Sequence, residues 1–252
     1  LNVLLDGRLT RASRRTSRTA LLLADVAAHI KTQLAPLPDT PATTLRRQAF
    51  AGFVAENVCA INGFHVRVNG PLPSSPAILV CNHISWQDPL LIASVVPCLA
   101  VAKIEVLGWP LIGELARALD FMFVDRQSAH SGAQVLLRAK SSLERGANVL
   151  TFPEGTTTIG ADVLPLRRGM FGLARLTGIP ITPIALTYVD ADAPWVGDET
   201  FFPSFYRTVA RRRTISHLEF GSAIAARPGE SAQSLAERAR TAIRSMLRAS
   251  KS

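Results

Sequence analysis

The chain has 252 residues, 48% of them hydrophobic, and carries 28 Lys and Arg against 19 Asp and Glu for a formal charge of +9. That length suits one α/β domain with a small extension, and the hydrophobic share supplies a large core with apolar surface left over. Zinc-finger spacing and an aromatic RNP-like strand are missing and only 6% of residues are aromatic, so the basicity does not read as specific nucleic-acid binding, and no run of 18 apolar residues is present to span a bilayer.

The charge is concentrated at the ends. Residues 1–60 hold eight Lys and Arg against four Asp and Glu, and residues 205–252 hold ten against three. Arg8, Arg11, Arg14, Arg15 and Arg18 precede an apolar stretch from Ala20 to Ala28. The order imitates a signal peptide, but Asp25 interrupts the apolar core. A helix fits better, with Leu23, Val26, Ala27, Ile30 and Leu34 on one face at i, i+3, i+4, i+7 and i+11. After the Pro36–Pro41 break a second helix is expected from Thr43 to about Ala60. Residues 1–62 thus read as a basic helical segment at a membrane interface, where each Lys or Arg near anionic lipid adds about 1 kcal/mol. The blander reading is a helical pair packed on the 63–252 domain.

Beyond it, strands are expected near 64–68, 77–81, 99–103, 121–124, 148–152, 181–189 and 214–220. Helices are expected near 89–96, 109–118, 130–145, 168–177 and 231–249. This alternation indicates an α/β fold. Pro180 and Pro183 demote the start of the sixth strand to an edge or irregular segment. Arg211–Arg213 reads as solvated surface. Cys59, Cys81 and Cys98 have neither metal-ligand nor redox spacing, and their odd number argues against a disulfide framework. His29, His65, His130 and His217 also lack partners at metal spacing, so no metal site is expected.

Two stretches carry chemistry. In Asn82-His83-Ile84-Ser85-Trp86-Gln87-Asp88, an imidazole and a carboxylate stand five residues apart after the apolar run Ala77–Cys81. On a continuous helix they would point about 140° apart, so they meet only across a loop. Asp88 before Pro89 supplies one: the pairing disfavours α geometry at Asp88, and Asp is a preferred N-cap. His exchanges protons near neutral pH, and a carboxylate can fix its tautomer, which makes His83 a candidate base. The alternative is that Asp88 merely caps a helix and His83 is a turn residue. The second stretch, Phe152-Pro153-Glu154-Gly155-Thr156, follows another apolar strand.

With these two stretches in register, the chain resembles the glycerolipid acyltransferases, above all the bacterial 1-acyl-glycerol-3-phosphate acyltransferase family. Two further blocks join them: Lys103-Ile104-Glu105 with Gly108–Gly113 and Phe123-Val124-Asp125-Arg126, and Gly178–Ile184. The resemblance implies a mixed sheet flanked by helices, behind an N-terminal helical membrane-association extension. It implies that His83 deprotonates a lipid hydroxyl, that Asp88 orients His83, and that the oxygen attacks an acyl thioester on coenzyme A or acyl carrier protein. No cofactor beyond that co-substrate is implied. Lys103, Arg126, Glu154, Gly155 and Thr156 would hold the acceptor. Arg126 suits an anion; Glu154 would accept from a hydroxyl or pair with Lys103 or Arg126. An anionic membrane at the cytoplasmic face of the inner membrane is the implied location.

One residue departs from the pattern. Lysophosphatidate enzymes commonly follow this Thr with Arg, where Thr157 stands here. Arg167 or Arg168 could supply the charge instead. Phe-Pro-Glu-Gly-Thr-Thr also resembles the branch acylating lyso-ornithine lipid, whose head group is zwitterionic. A non-catalytic lipid-binding protein on the same fold is the reading from another class.

Overall fold

The computed structural model describes residues 2–74, 76–109 and 111–250, without the side chains of residues 2–6. Pro110 of the second block lies outside the described residues. Ile78–Cys81 (β2) is buried on both faces, as a continuous apolar strand in a largely parallel sheet should be. It lies mid-sheet. Seven strands among the described residues form that sheet: Phe64–Asn69 (β1), β2, Leu99–Lys103 (β3), Met122–Val124 (β4), Val149–Thr151 (β5), Ile181–Tyr188 (β6) and Thr214–Phe220 (β7). Their order is β1-β7-β6-β2-β5-β3-β4. β6 and β7 are antiparallel; every other neighbouring pair is parallel. All seven expected strands are present, and the mixed sheet is the expected one.

The start of β6, expected as an edge or irregular segment, is edge-like on one side only: β2 pairs with it from Ile181, whereas the β7 ladder begins at Ile184 and Ile181 meets only an isolated bridge to Ile224. Pro183 is tolerated for a local reason. Backbone groups two residues apart in a strand face the same side, and Ile181 exchanges bonds with Ile224 on the β7 side. The missing donor of Pro183 therefore falls on that side too. There the β7 ladder has already ended at Phe220, and Gly221 still donates to the Pro183 carbonyl at 2.9 Å.

Helices cover both faces of the sheet. Ala129–Glu144 (α5), Gly169–Thr177 (α6) and Ala232–Ala249 (α8) bury Val135, Leu143, Phe171 and Ile243 against one face. Pro41–Asn62 (α2) and Asp88–Ala93 (α3) bury Ala55, Cys59, Leu91 and Ile92 against the other. Asn2–His29 (α1) runs through a π turn at Ile30–Leu34. The expected stripe holds, with Val26, Ile30 and Leu34 buried and Leu23 and Ala27 partly so. Their partners are Val54 and Val58 of α2 and Leu115 and Leu119 at Ile112–Ala118 (α4).

α2 starts earlier than expected, at Pro41, because Thr40 caps it by accepting the Thr43 amide at 3.2 Å. The helix expected over 109–118 is shorter: a 3-10 turn occupies Ile104–Gly108, and Leu111 takes a left-handed φ of 65° before α4 begins. One helix was not anticipated, Phe201–Val209 (α7). Its C-terminal carbonyls meet the basic end of α1: Arg11 donates to Ala210 at 2.8 Å, and Arg15 to Val209, Arg211 and Arg212 at 3.1, 2.6 and 3.0 Å. Cations suit the negative end of a helix. Two of the five N-terminal arginines are therefore structural. Arg211 pairs with Asp190 and Asp192, so that run is not simply solvated.

Candidate active site

The β2–α3 turn lies at the carboxyl end of a central strand, where α/β sheets present ligand-binding loops. Asn82 fixes it by bonding Leu186 twice, accepting from N–H at 2.8 Å and donating to C=O at 3.0 Å. α3 begins at Asp88, one residue earlier than expected, and Gln87 holds the cap position without a side-chain bond. Asp88 does not cap the helix, because its carboxylate folds back into the turn. Oδ2 accepts from Ile84 N–H at 2.6 Å, Ser85 N–H at 2.9 Å and His83 Nδ1 at 2.7 Å. Oδ1 accepts from the Tyr188 hydroxyl at 2.6 Å. The two amides hold the carboxylate in place, and it in turn orients the ring.

With Nδ1–H committed to Asp88, His83 keeps its Nε2 lone pair for the cavity it lines. Phe152 stacks on the ring at 4.1 Å and 18°, fixing its plane. Tyr188 is the least legible member of the site, arriving from β6 a hundred residues downstream. Burial, and next the charge of Asp88, push its hydroxyl far above the ordinary phenol value, so it remains a proton donor. Its only sequence signal is its place at the end of the strand that Asn82 binds.

The Pro153–Thr156 segment lies beside this turn. Glu154 accepts from His83 N–H at 2.8 Å and Leu164 N–H at 2.9 Å. The expectation that it meets a substrate hydroxyl, Lys103 or Arg126 is not met. Its oxygens bind amides, it is buried, and it lies outside the cavity wall. Burial raises its pKa, against the pull of those two amides. Lys103 pairs with Glu105 at 2.7 Å. Thr158 N–H donates to the His83 carbonyl at 2.8 Å, so this loop holds the β2–α3 turn from both sides of the histidine backbone.

His83, Lys103, Arg126, Gly155 and Thr156 line one cavity of about 1240 Å³. Arg126 has no ion pair or side-chain hydrogen bond among the described residues. The neighbouring carboxylates are otherwise engaged: Asp120 pairs with Arg47 at 2.8 Å, and Asp125 accepts from Gln127 N–H. Burial, and then the charge of Arg167, lower the pKa of Arg126. Arg167 lines the cavity too, likewise without a side-chain partner among the described residues; Arg168 does not. Gly155 has a φ of 77°, and a Cβ there would stand 2.7 Å from Arg167 Nε. Glycine thus lets the guanidinium lie across the loop.

Most of the rest of the wall is apolar. Leu23 and Val26 of α1, Val54 of α2 and Leu115 of α4 line it, so the N-terminal helices complete the cavity. All three cysteines are buried. Burial pushes the thiols of Cys59 and Cys98 up to about 12 and that of Cys81 well up, which disqualifies them as thiolate nucleophiles. No cluster suited to a metal ion occurs among the described residues.

A family model described as Acyltransferase matches residues 64–187. A lyso-ornithine lipid O-acyltransferase of Pseudomonas aeruginosa is 33% identical over 213 residues, covering 82% of this chain and 81% of that protein. A 1-acyl-sn-glycerol-3-phosphate acyltransferase of Neisseria meningitidis is 26% identical over 205 residues, covering 77% and 79%. In fold, the chain is similar to the crystal structure of the 1-acyl-sn-glycerophosphate acyltransferase PlsC from Thermotoga maritima. The TM-score is 0.63 at 19% identity, covering 94% of this chain and 98% of that one.

Proposed function

The chain belongs to the glycerolipid acyltransferase family, and on that premise we propose that it moves a fatty acyl chain from an acyl thioester to the hydroxyl of a lysolipid, with His83 as the base. His83 Nε2 takes the hydroxyl proton as the lipid oxygen attacks the thioester carbonyl. The C–S bond then breaks, and the imidazolium returns the proton to the leaving thiolate. Asp88 stabilises that imidazolium while its other three donors hold it still. The thioester, on coenzyme A or acyl carrier protein, is the co-substrate, and the step requires no further cofactor.

The observation that carries this reading is the 2.7 Å contact of His83 Nδ1 with a buried carboxylate, at the wall of a cavity that two arginines and many apolar side chains also line. A base alone contributes about 10²–10⁴-fold, so holding acceptor and thioester together must supply most of the remainder. Arg126 and Arg167 suit the anionic group of the acceptor, because guanidinium forms bidentate, charge-assisted bonds. The apolar wall suits acyl chains.

Lyso-ornithine lipid is the favoured acceptor, and lysophosphatidate the second. The Pseudomonas relative supports the first, as does Thr157 in place of a cation. The paired arginines favour the second. We also read α1 and α2 as the membrane-facing part. Arg14, Arg18 and Leu21 follow one helical face and are exposed, as is Phe53. No helix among the described residues is long and apolar enough to cross a bilayer, so peripheral or monotopic attachment at the cytoplasmic leaflet is the form proposed.

The test is incubation with labelled acyl-CoA or acyl carrier protein and a panel of lysolipids, with products identified by mass. Diacylated product is expected, and His83→Ala should lower the rate by about 10²–10⁴-fold without unfolding the protein. Vesicle binding without product from any donor would favour the non-catalytic reading. Undiminished turnover by the variant would remove His83 as base.

A further inference from the structure

Three carboxylates line the cavity, and two are neutralised. Glu105 is paired with Lys103 at 2.7 Å, and Glu199 takes both Nη groups of Arg207. The third, Asp198, is exposed at the cavity wall and has no ion pair or side-chain hydrogen bond among the described residues. Its loop is held by named bonds. Trp195 N–H donates to the carbonyl of Ile84, next to His83, at 2.9 Å. The Thr157 hydroxyl donates to the Trp195 carbonyl. The Trp195 indole N–H donates to the Glu199 carbonyl at 2.7 Å and closes the turn over Gly197, whose φ is 68°. Asp198 thus sits on a braced turn, three residues from a direct bond to the catalytic segment.

Two features of the surroundings bear on what this carboxylate would bind. Arg126 and Arg167 bring two unpaired cations to the same cavity. Trp109 lies 4.2 Å from Phe201 and 6.2 Å from Trp195, and all three rings line the wall. Aromatic faces attract ammonium groups and offer nothing to a phosphate. A phosphomonoester would satisfy the arginines and leave Asp198 as a like charge on the wall of the same cavity, which is a penalty of the kind used to exclude wrong ligands. A head group carrying both an anion and an ammonium satisfies both signs.

We propose that this cavity carries a zwitterion site, in which Arg126 and Arg167 take the anionic group and Asp198, on the turn that Trp195 closes, takes a primary ammonium. This makes Asp198 a specificity residue for amino-acid lipids. The proposal rests on the reading of the protein as a lysolipid acyltransferase.

The experiment compares kcat/KM for lyso-ornithine lipid, for the same lipid with its terminal amine acetylated, and for lysophosphatidate. The enzymes are wild type, Asp198→Asn and Asp198→Glu. A hydrogen bond between charged groups predicts that wild type prefers the free amine over the acetylated one by about tenfold. Asp198→Asn should bring that ratio toward unity and shift preference toward lysophosphatidate; Asp198→Glu should keep part of the preference. Free and capped amines used equally by wild type, or an Asp198→Asn variant that lowers all three substrates alike, overturns the zwitterion site and leaves the acyltransferase reading intact. Transfer to no lysolipid by wild type overturns that reading and the site with it.

Discussion

The carboxylate of Asp88 and the guanidinium of Arg126 belong to one site and are treated in opposite ways. Asp88 is fully buried and receives four donors. Arg126 is half-buried, has another cation beside it and receives no acceptor among the described residues. A buried charge is costly unless paired and hydrogen-bonded. Complete pairing at Asp88 therefore means that the protein uses it to hold geometry. Arg126, half-buried without an acceptor, and exposed Arg167 beside it are free to take a partner from outside, the acceptor anion of the proposed function. One region is finished by folding and the other by a ligand.

Asp88→Ala tests the finished region and should have the largest effect. It strands two turn amides, the histidine and a buried tyrosine. Each orphaned donor costs about 1–3 kcal/mol, so several kcal/mol of stability should be lost. Activity should fall at least as far as in His83→Ala. Urea midpoints and initial rates check both. A variant as stable as wild type would show that the four bonds are not structural, and the contrast would fail.

That contrast also explains what the sequence could reveal. The apolar run of β2, the Asp-Pro pair and the α1 stripe are local patterns, and they led to the strands, the turn and the helix face. The contact of Asp88 with His83 is the expected one; only the N-cap role beside it fails, because capping is local, whereas the turn that draws the carboxylate back is specified by Asn82 binding Leu186. Tyr188 comes from a distant strand, so its convergence depends on strand order, whereas Arg167 was one of two arginines the sequence offered and its N–H bonds the Pro153 carbonyl at 2.9 Å. Glu154 stood in the right segment but was assigned to substrate, because its amide partners His83 and Leu164 cannot be inferred from a motif. α7 carries a helical stripe, with Phe201, Phe202, Phe205 and Val209 at i, i+1, i+4 and i+8, and Pro203 falls in its first turn, where proline is tolerated; the helix is legible in the sequence, although it was not anticipated. Only the start of the sixth strand reads as edge or irregular, and that β7 ends opposite Pro183 while β2 continues is invisible in one dimension.

Arg167→Gln and Arg126→Gln sharpen the other half of the comparison. Each removes a charge-assisted contact to the acceptor anion, so the acceptor KM should rise about tenfold or more. kcat should change less, because neither arginine touches the reacting oxygen. Thermal stability should hold or rise slightly, since each substitution relieves repulsion between the two cations. An unchanged KM would mean that the arginines merely tolerate one another beside open water, and the inference from unpaired charge would fall.

Tyr188→Phe should have the smallest effect and is the finest probe of the finished region. It removes one of four donors to Asp88 and keeps the ring's packing. Because burial holds the hydroxyl far above the usual phenol value, it donates at every working pH, and its own titration does not shape the rate profile. Its loss leaves three donors on the carboxylate that orients the His83 ring. A bond worth about 1 kcal/mol should lower the rate only a few-fold and the urea midpoint modestly. Rate and midpoint both unchanged would mean that Tyr188 only fills space, and that three donors suffice to hold Asp88 still.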